Sequence, residues 1–293
     1  MFDLRYHVAS LAAVFVALIV GILVGVGLSG SGVNQADLQL AQGQRDRAQS
    51  QRDAALAQVA GLQKTQKIFE LAYPAVVRNL LTGKRIAVLF VGPKDGAVNQ
   101  AIESTLTDAG AEPPVRVVSV SVPVDAQNLD SALFAKGPQF VKYVGNDKLE
   151  GLGTELGSEF AAGGQTPLWK VLGKQLIGER SGTTRQPVDG VVVVRTAPPQ
   201  QGDTARFLRG FYTGLASAGV PAVGVEKSNS KVSAVGVLQD RGLSTVDDID
   251  LSMGRASLAL LLAGAPPGKY GTRDVAGDAK NNADAVLPTL PSG

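Results

Sequence analysis

A single transmembrane helix, a helical coiled-coil stalk and an α/β domain with a mainly parallel, doubly wound sheet are the three parts the sequence predicts, in that order. Three observations predict them: a charge-free apolar run near the start, a seven-residue repeat in a polar Gln-rich stretch, and short β-branched runs alternating with helical patterns beyond Gly83. The expected boundaries are 1–7 for a short cytoplasmic N-terminus, 8–29 for the membrane helix, 34–72 for the stalk, 84–265 for an extracytoplasmic α/β domain and 266–293 for an irregular tail.

No charged residue lies between Val8 and Ala36, and Ser10 is the only polar side chain from Val8 to Leu28. As a helix that run rises about 31 Å, close to the hydrocarbon thickness of a bilayer. A cleaved signal peptide is the rival; Gly27, Ser29 and Gly30 are small enough for cleavage, but signal-peptide apolar regions run to only about 15 residues. Asp3 and Arg5 precede the helix and the next basic residue is Arg45, an asymmetry that sets the N-terminus in the cytoplasm and the rest outside. Small residues recur at Ala9, Ala13, Ala17, Gly21, Gly25 and Ser29. This stripe would let a second backbone approach closely, although Ala and Gly are common in membrane helices anyway.

In the stalk, Arg45–Gln51 and Arg52–Gln58 are successive copies of one repeat. Steps of three and four link Leu38, Ala41, Ala48, Ala55, Val59, Leu62 and Phe69, with Arg45, Arg52 and Gln66 at the intervening seam places, the arithmetic of a heptad. So many Ala and Arg make a weak seam, which needs two copies held in parallel to close. A single solvated helix acting as a spacer is the plainer reading. Either ends before Tyr73-Pro74, because proline disfavours helix at the residue ahead of it.

Beyond Gly83, strands are expected at Arg85–Gly92, Val115–Val122, Gly190–Thr196 and Pro221–Glu226, with a weaker one at Lys231–Leu238. Helices are expected at Ala97–Gly110, Ala126–Ala135, Asp147–Ala162, Pro167–Gly178 and Thr204–Ala218, and a last one capped by Ser252 and ending at Ala263. Nearly continuous apolar strands alternating with helices are what a parallel sheet covered on both faces requires. Thr166-Pro167 looks like an N-cap followed by Pro at the first helical place.

Composition excludes much chemistry. The chain has 293 residues, no Cys, one His and two Met, which removes thiol nucleophiles, Cys-based metal sites and a His-dependent triad in the body of the protein. Lys and Arg number 28 against 26 Asp and Glu, so nothing in the charge suggests nucleic acid. Gly92-Pro93-Lys94-Asp95-Gly96 follows the first strand without the spacing of a phosphate-binding loop, and reads as an ordinary β–α turn. Arg195, at the end of the third expected strand, reads as a solvated cation. Asp247-Asp248-x-Asp250, preceded by Asp240, could hold a hard cation, but a turn and the N-terminal charge of the next helix account for these carboxylates. His7 reads as an interface residue. No catalytic residue, metal ligand or cofactor is expected.

The opening Phe2-Asp3-Leu4-Arg5-Tyr6-His7-Val8-Ala9-Ser10-Leu11-Ala12-Ala13-Val14-Phe15, the segment Gly242–Asp250, and Gly268-Lys269-Tyr270-Gly271 with Leu287-Pro288 resemble the actinobacterial MctB-type copper transporter family over nearly the whole chain. The resemblance implies copper homeostasis or efflux across the envelope, with an outer-membrane location. Copper binds thiolates, thioethers and imidazoles, and the only such groups here are Met1, His7 and Met253, so no soft-ligand site forms within one chain. An outer-membrane barrel does not match the pattern either, since barrels need many alternating strands and no apolar spanning helix. Two functions stay open. One is a non-enzymatic envelope component of copper export acting through an oligomer or partner. The other is a dimeric coiled-coil scaffold that recruits or regulates cell-wall or division machinery. An enzymatic reading, with the sheet binding a sugar or nucleotide, lacks identifiable carboxylate chemistry. The expected partners are the lipid bilayer, a second parallel copy and an envelope protein.

Overall fold

The structure is a computed structural model that describes residues 17–22, 35–183 and 186–289. The chain divides into two compact units, one up to Lys64 and one from Thr65 onward.

The expectation of a membrane-spanning helix over 8–29 is corrected. Within it the structure describes one helical stretch, residues 17–22, and among the described residues no helix is long and apolar enough to cross a membrane. So short a stretch rises only about 9 Å. The remainder of 8–29 lies outside the described residues.

Helix α1 runs Gln35–Val77 and contains Pro74. The expected end at residue 72 is therefore passed. Tyr73 and Val77, 5% and 0% exposed, pack into the core of the second unit, and that burial outweighs the local cost of Pro74.

The second unit is built on a seven-stranded sheet in the order β3-β2-β1-β4-β5-β6-β7. The strands are β1 Ile86–Val91, β2 Arg116–Val120, β3 Ile177–Gly182, β4 Gly190–Arg195, β5 Ala222–Val225, β6 Ser244–Val246 and β7 Lys269–Tyr270. All neighbours are parallel except β2 and β3, which are antiparallel, so the sheet is mixed. The helices are α2 Gly96–Asp108, α3 Ala126–Phe134, α4 Leu149–Ala162, α5 Pro167–Leu176, α6 Gly202–Ala216, α7 Val235–Gln239 and α8 Ser252–Leu262. Alternation along β1 shows the two-sided burial directly. Ala87, Leu89 and Val91 enter one core with α3, α4, α5 and α6; Ile86, Val88 and Phe90 enter the other with α2, α8 and the end of α1. Period-two projection makes this division.

Four local expectations are revised. Lys231–Leu238 is no strand; its second half forms α7. Pro167–Gly178 ends as a helix at Leu176, and β3 starts at once. Thr166 and Ser252 make no side-chain cap; Glu159 accepts from the amides of Leu168 and Trp169 instead (3.1 and 3.2 Å). The tail is anchored: the Thr245 and Asp247 amides donate to the carbonyls of Gly268 and Tyr270, and the Gly271 amide donates to that of Ala285.

Helices α4 and α6 touch through glycine. A Cβ on Gly153 or Gly157 would collide with the carbonyls of Phe207 or Phe211, and one on Gly210 or Gly214 with those of Glu150 or Thr154. Two Gly-x-x-x-Gly pairs thus interlock, bringing the backbones to a separation no larger residue allows.

Arg116, in β2, is 1% exposed. Its guanidinium donates to the carbonyls of Thr183 (3.1 Å), Gln186 (2.8 Å) and Phe160 (2.6 Å) and lies 5.3 Å from the centre of the Phe160 ring. Burial without a facing carboxylate lowers its pKa to about 10, which leaves it charged at neutral pH. Arg116→Met keeps the stem but orphans these carbonyls, and is expected to cost about 2–3 kcal/mol, read as a lowered urea midpoint.

Candidate functional site

Strand order reverses between β1 and β4, and in open α/β sheets the crevice at the carboxyl ends of such a pair is where ligands bind. Here the Thr196 and Ala197 amides both donate to the Val91 carbonyl at 3.0 Å, and the Thr196 hydroxyl donates to the Pro93 carbonyl at 2.6 Å. Gly92 has φ +107°, and a Cβ there would lie 2.7 Å from the Ala197 nitrogen, so only glycine permits the two strand ends to close together. The following turn is held by Asp95, which caps α2 by accepting from the amides of Ala97 and Val98 (2.9 and 3.1 Å). Its second oxygen pairs with Lys227 at 2.8 Å. The Lys227 ammonium and these amides keep the Asp95 carboxyl below its ordinary range.

Two hollows flank this junction. The more open, about 370 Å³, lies between Asp95, Thr196, Glu226, Lys227 and Lys231. Its charges are mostly satisfied internally: Asp95 by Lys227, and Glu226 by the Ser233 hydroxyl and the Ala234 amide, both at 2.7 Å. Arg195, expected to be solvated, instead donates to the carbonyls of Val232 and Ser233 (3.1 and 2.9 Å). The second hollow, about 260 Å³, has Arg195, Arg209 and Arg241 around an apolar floor that includes Val91, Leu208 and Val237.

The acidic segment does not converge. Asp247 accepts from the amides of Thr272 and Arg273 (2.9 and 3.2 Å), Asp250 accepts from the amide and hydroxyl of Ser228, both at 2.7 Å, and Asp240 pairs with Lys280 at 2.6 Å. Asp248 is fully buried, and neither carboxylate oxygen accepts a bond of normal geometry from the described residues. Burial first, and the adjacent Asp247 second, push its pKa up to about 7, with the Thr272 side chain offsetting the rise only in part. Among the described residues no group of three or more His, Cys, Asp or Glu is arranged to hold a metal ion.

Of the small-residue stripe, Ala17 and Gly21 fall in the short stretch 17–22 and are exposed; Ala9, Ala13, Gly25 and Ser29 lie outside the described residues, as do Met1 and His7. The seam residues Leu38, Ala41, Ala48, Ala55, Val59, Leu62 and Phe69 all fall within α1. Ala48 and Ala55 are exposed, and Phe69 is half-buried against the core of the second unit. Sequence reasoning missed Tyr212 and Arg241 beside the smaller hollow. Tyr212 sits in an amphipathic helix and Arg241 in a turn, and neither carries a local motif.

The family profile described as copper transport outer membrane protein, MctB, matches residues 1–280. The chain belongs to the MctB family. Curated MctB relatives from Mycobacterium bovis and Mycobacterium tuberculosis, each named copper transporter MctB, are 28% identical to it in alignments that cover 93% of this chain and 96% of the relative. This MctB-family match embraces α1, the whole sheet and most of the anchored tail. Residues Gly242–Asp250, among those that carried the resemblance in sequence, include β6 and the buried Asp247–Asp248 pair.

Proposed function

We propose that this protein is a non-enzymatic component of copper homeostasis in the cell envelope that holds no resident copper and acts through self-pairing of α1 and through a protein partner. The match to the profile described as copper transport outer membrane protein, MctB, over residues 1–280 carries the reading of copper and the envelope, and the name of the curated relatives supports copper. The chemistry of the chain limits the role. With no Cys, one His and two Met in 293 residues, copper passing this protein is cargo handled with others, because soft thiolate or thioether ligands are needed to retain Cu(I). Pairing rests on the heptad spacing along the 43-residue α1.

Loss of the gene is expected to raise cell-associated copper under copper challenge. The purified chain is expected to surrender all Cu(I) to a competing bicinchoninate chelator. Retention of stoichiometric copper against the chelator would refute the absence of a resident site, and unchanged cellular copper would refute the homeostatic role. A second reading, a dimeric scaffold that recruits or regulates cell-wall or division machinery, is favoured by the same scarcity of copper ligands. It predicts normal copper content and an altered wall or septum in the deletion strain.

A further inference from the structure

We propose that the smaller hollow beside the β1–β4 junction binds a small organic anion, with a carboxylate or phosphate held by Arg195 and Arg241 and an apolar body lying on Leu208 and Val237. This inference is independent of the copper reading.

Four observations carry it. First, the hollow occupies the carboxyl end of the sheet at the point where strand order reverses, the place where such sheets present strand ends and loops to a ligand. Second, its volume of about 260 Å³ approaches the lower end of small-molecule sites, roughly 300 Å³. Third, its charge is uncompensated in one sense only. The lining carries three arginines and one carboxylate, Asp240. That carboxylate is occupied by Lys280 at 2.6 Å, and Arg209 faces Glu150 at 3.4 Å. Arg195 commits one terminal nitrogen to the carbonyls of Val232 and Ser233, which fixes the guanidinium without neutralising it. The Arg241 side chain has no hydrogen-bond or ion-pair partner among the described residues. Fourth, the wall contains Tyr212, 2% exposed, whose buried hydroxyl has no hydrogen-bond partner among the described residues. An unpaired hydroxyl at that depth costs free energy, and no polar side-chain atom in the lining of the flanking hollow shares that condition.

The flanking hollow suits an anion less: it shares Arg195 and adds Lys227 and Lys231, but its wall also carries the carboxylates of Asp95 and Glu226, and Lys227 is committed to Asp95 at 2.8 Å. A planar guanidinium recognises carboxylate and phosphate alike, so the two headgroups are separated by experiment.

Titration of the purified full chain with 1-naphthoate, 1-naphthyl phosphate and the uncharged 1-naphthalenemethanol, followed by calorimetry, tests the proposal. One-to-one saturable binding of at least one anion is expected, with the alcohol weaker by about tenfold or more. Whichever anion binds more tightly names the headgroup. Arg241→Gln is expected to weaken the anion by about tenfold, and Ala205→Phe, which fills the hollow from the first turn of α6, to abolish binding. Urea midpoints close to that of the parent establish that both variants remain folded; if Ala205→Phe lowers the midpoint, Val237→Trp fills the hollow from its exposed side. The proposal is overturned if neither anion saturates a site at millimolar concentration, if the alcohol binds equally well, or if folded variants bind like the parent.

Discussion

Gly210→Ala is expected to destabilise the α/β domain by about 4 kcal/mol or more, enough to abolish a cooperative unfolding transition in a marginally stable domain. The added methyl would enter the carbonyl group of Glu150 in α4, and that atom belongs to helix backbone, so no flexible side chain can swing away. The helices must part. Separation loosens Leu152, Leu156, Phe207 and Phe211, all at most 1% exposed, together with the Phe207–Phe211 ring pair at 5.9 Å. Gly151→Ala is the matched control. It lies in the facing helix α4 beside Glu150, nothing among the described residues stands within 4 Å of its added methyl, and the residue is exposed, so a gain of about 0.5–1 kcal/mol is expected. Thermal unfolding of both variants decides the matter; a parent-like midpoint for Gly210→Ala would disprove the interlocking.

Asp248→Asn is expected to stabilise the protein at pH 8 by about 2–4 kcal/mol and, at pH 4, to leave it between unchanged and about 2 kcal/mol less stable. The Asp248 carboxyl has a folded pKa of about 7 against an ordinary 3.8, raised by burial and by Asp247 and Asp250 nearby. The sign follows from proton binding. Between pH 3.8 and about 7 the folded protein holds a proton that the unfolded chain has released, so stability falls as pH rises through this window and levels off above it. Each tenfold change in proton affinity is worth about 1.4 kcal/mol, which sets the upper figure; the lower allows for an asparagine amide left without a partner. Asp247 and Glu226, also raised by burial, retain part of the slope in the variant. Urea midpoints across that range provide the check. An equal gain at pH 4 and pH 8 would refute a charge-based cause.

The central strands were legible because burial on both faces leaves a β-branched run in the sequence. Val191–Val194 and Ile86–Val91 are of this kind, and are buried throughout. Strand β3 was hidden because an edge strand needs no such run: Ile177–Gly182 carries Glu179 and Arg180 and is largely exposed. Strands β6 and β7 are three and two residues long, too short for any period to register. Lys231–Leu238 misled because its valines fit alternation as well as a short helix, and α7 places Val235 and Leu238 inward with Val237 out. Small-residue spacing was sought at Gly21 and Gly25; the described close approaches built on that spacing lie at Gly153, Gly157, Gly210 and Gly214, within helices that were expected without weighing their glycines. At the candidate site, the β1–α2 turn was readable from its Gly and Asp, whereas Arg195, Tyr212 and Arg241 converge from separate elements, which single-chain spacing does not encode.

The sheet finishes bluntly on both sides. Strand β7 offers two residues and is itself covered by the Tyr270–Ala285 bridge, while β3 presents Glu179 and Arg180. Such margins give an incoming extended segment no long, uncharged template on which to add. At high concentration the folded domain is therefore expected to resist fibril-like polymerisation through the edges of its sheet.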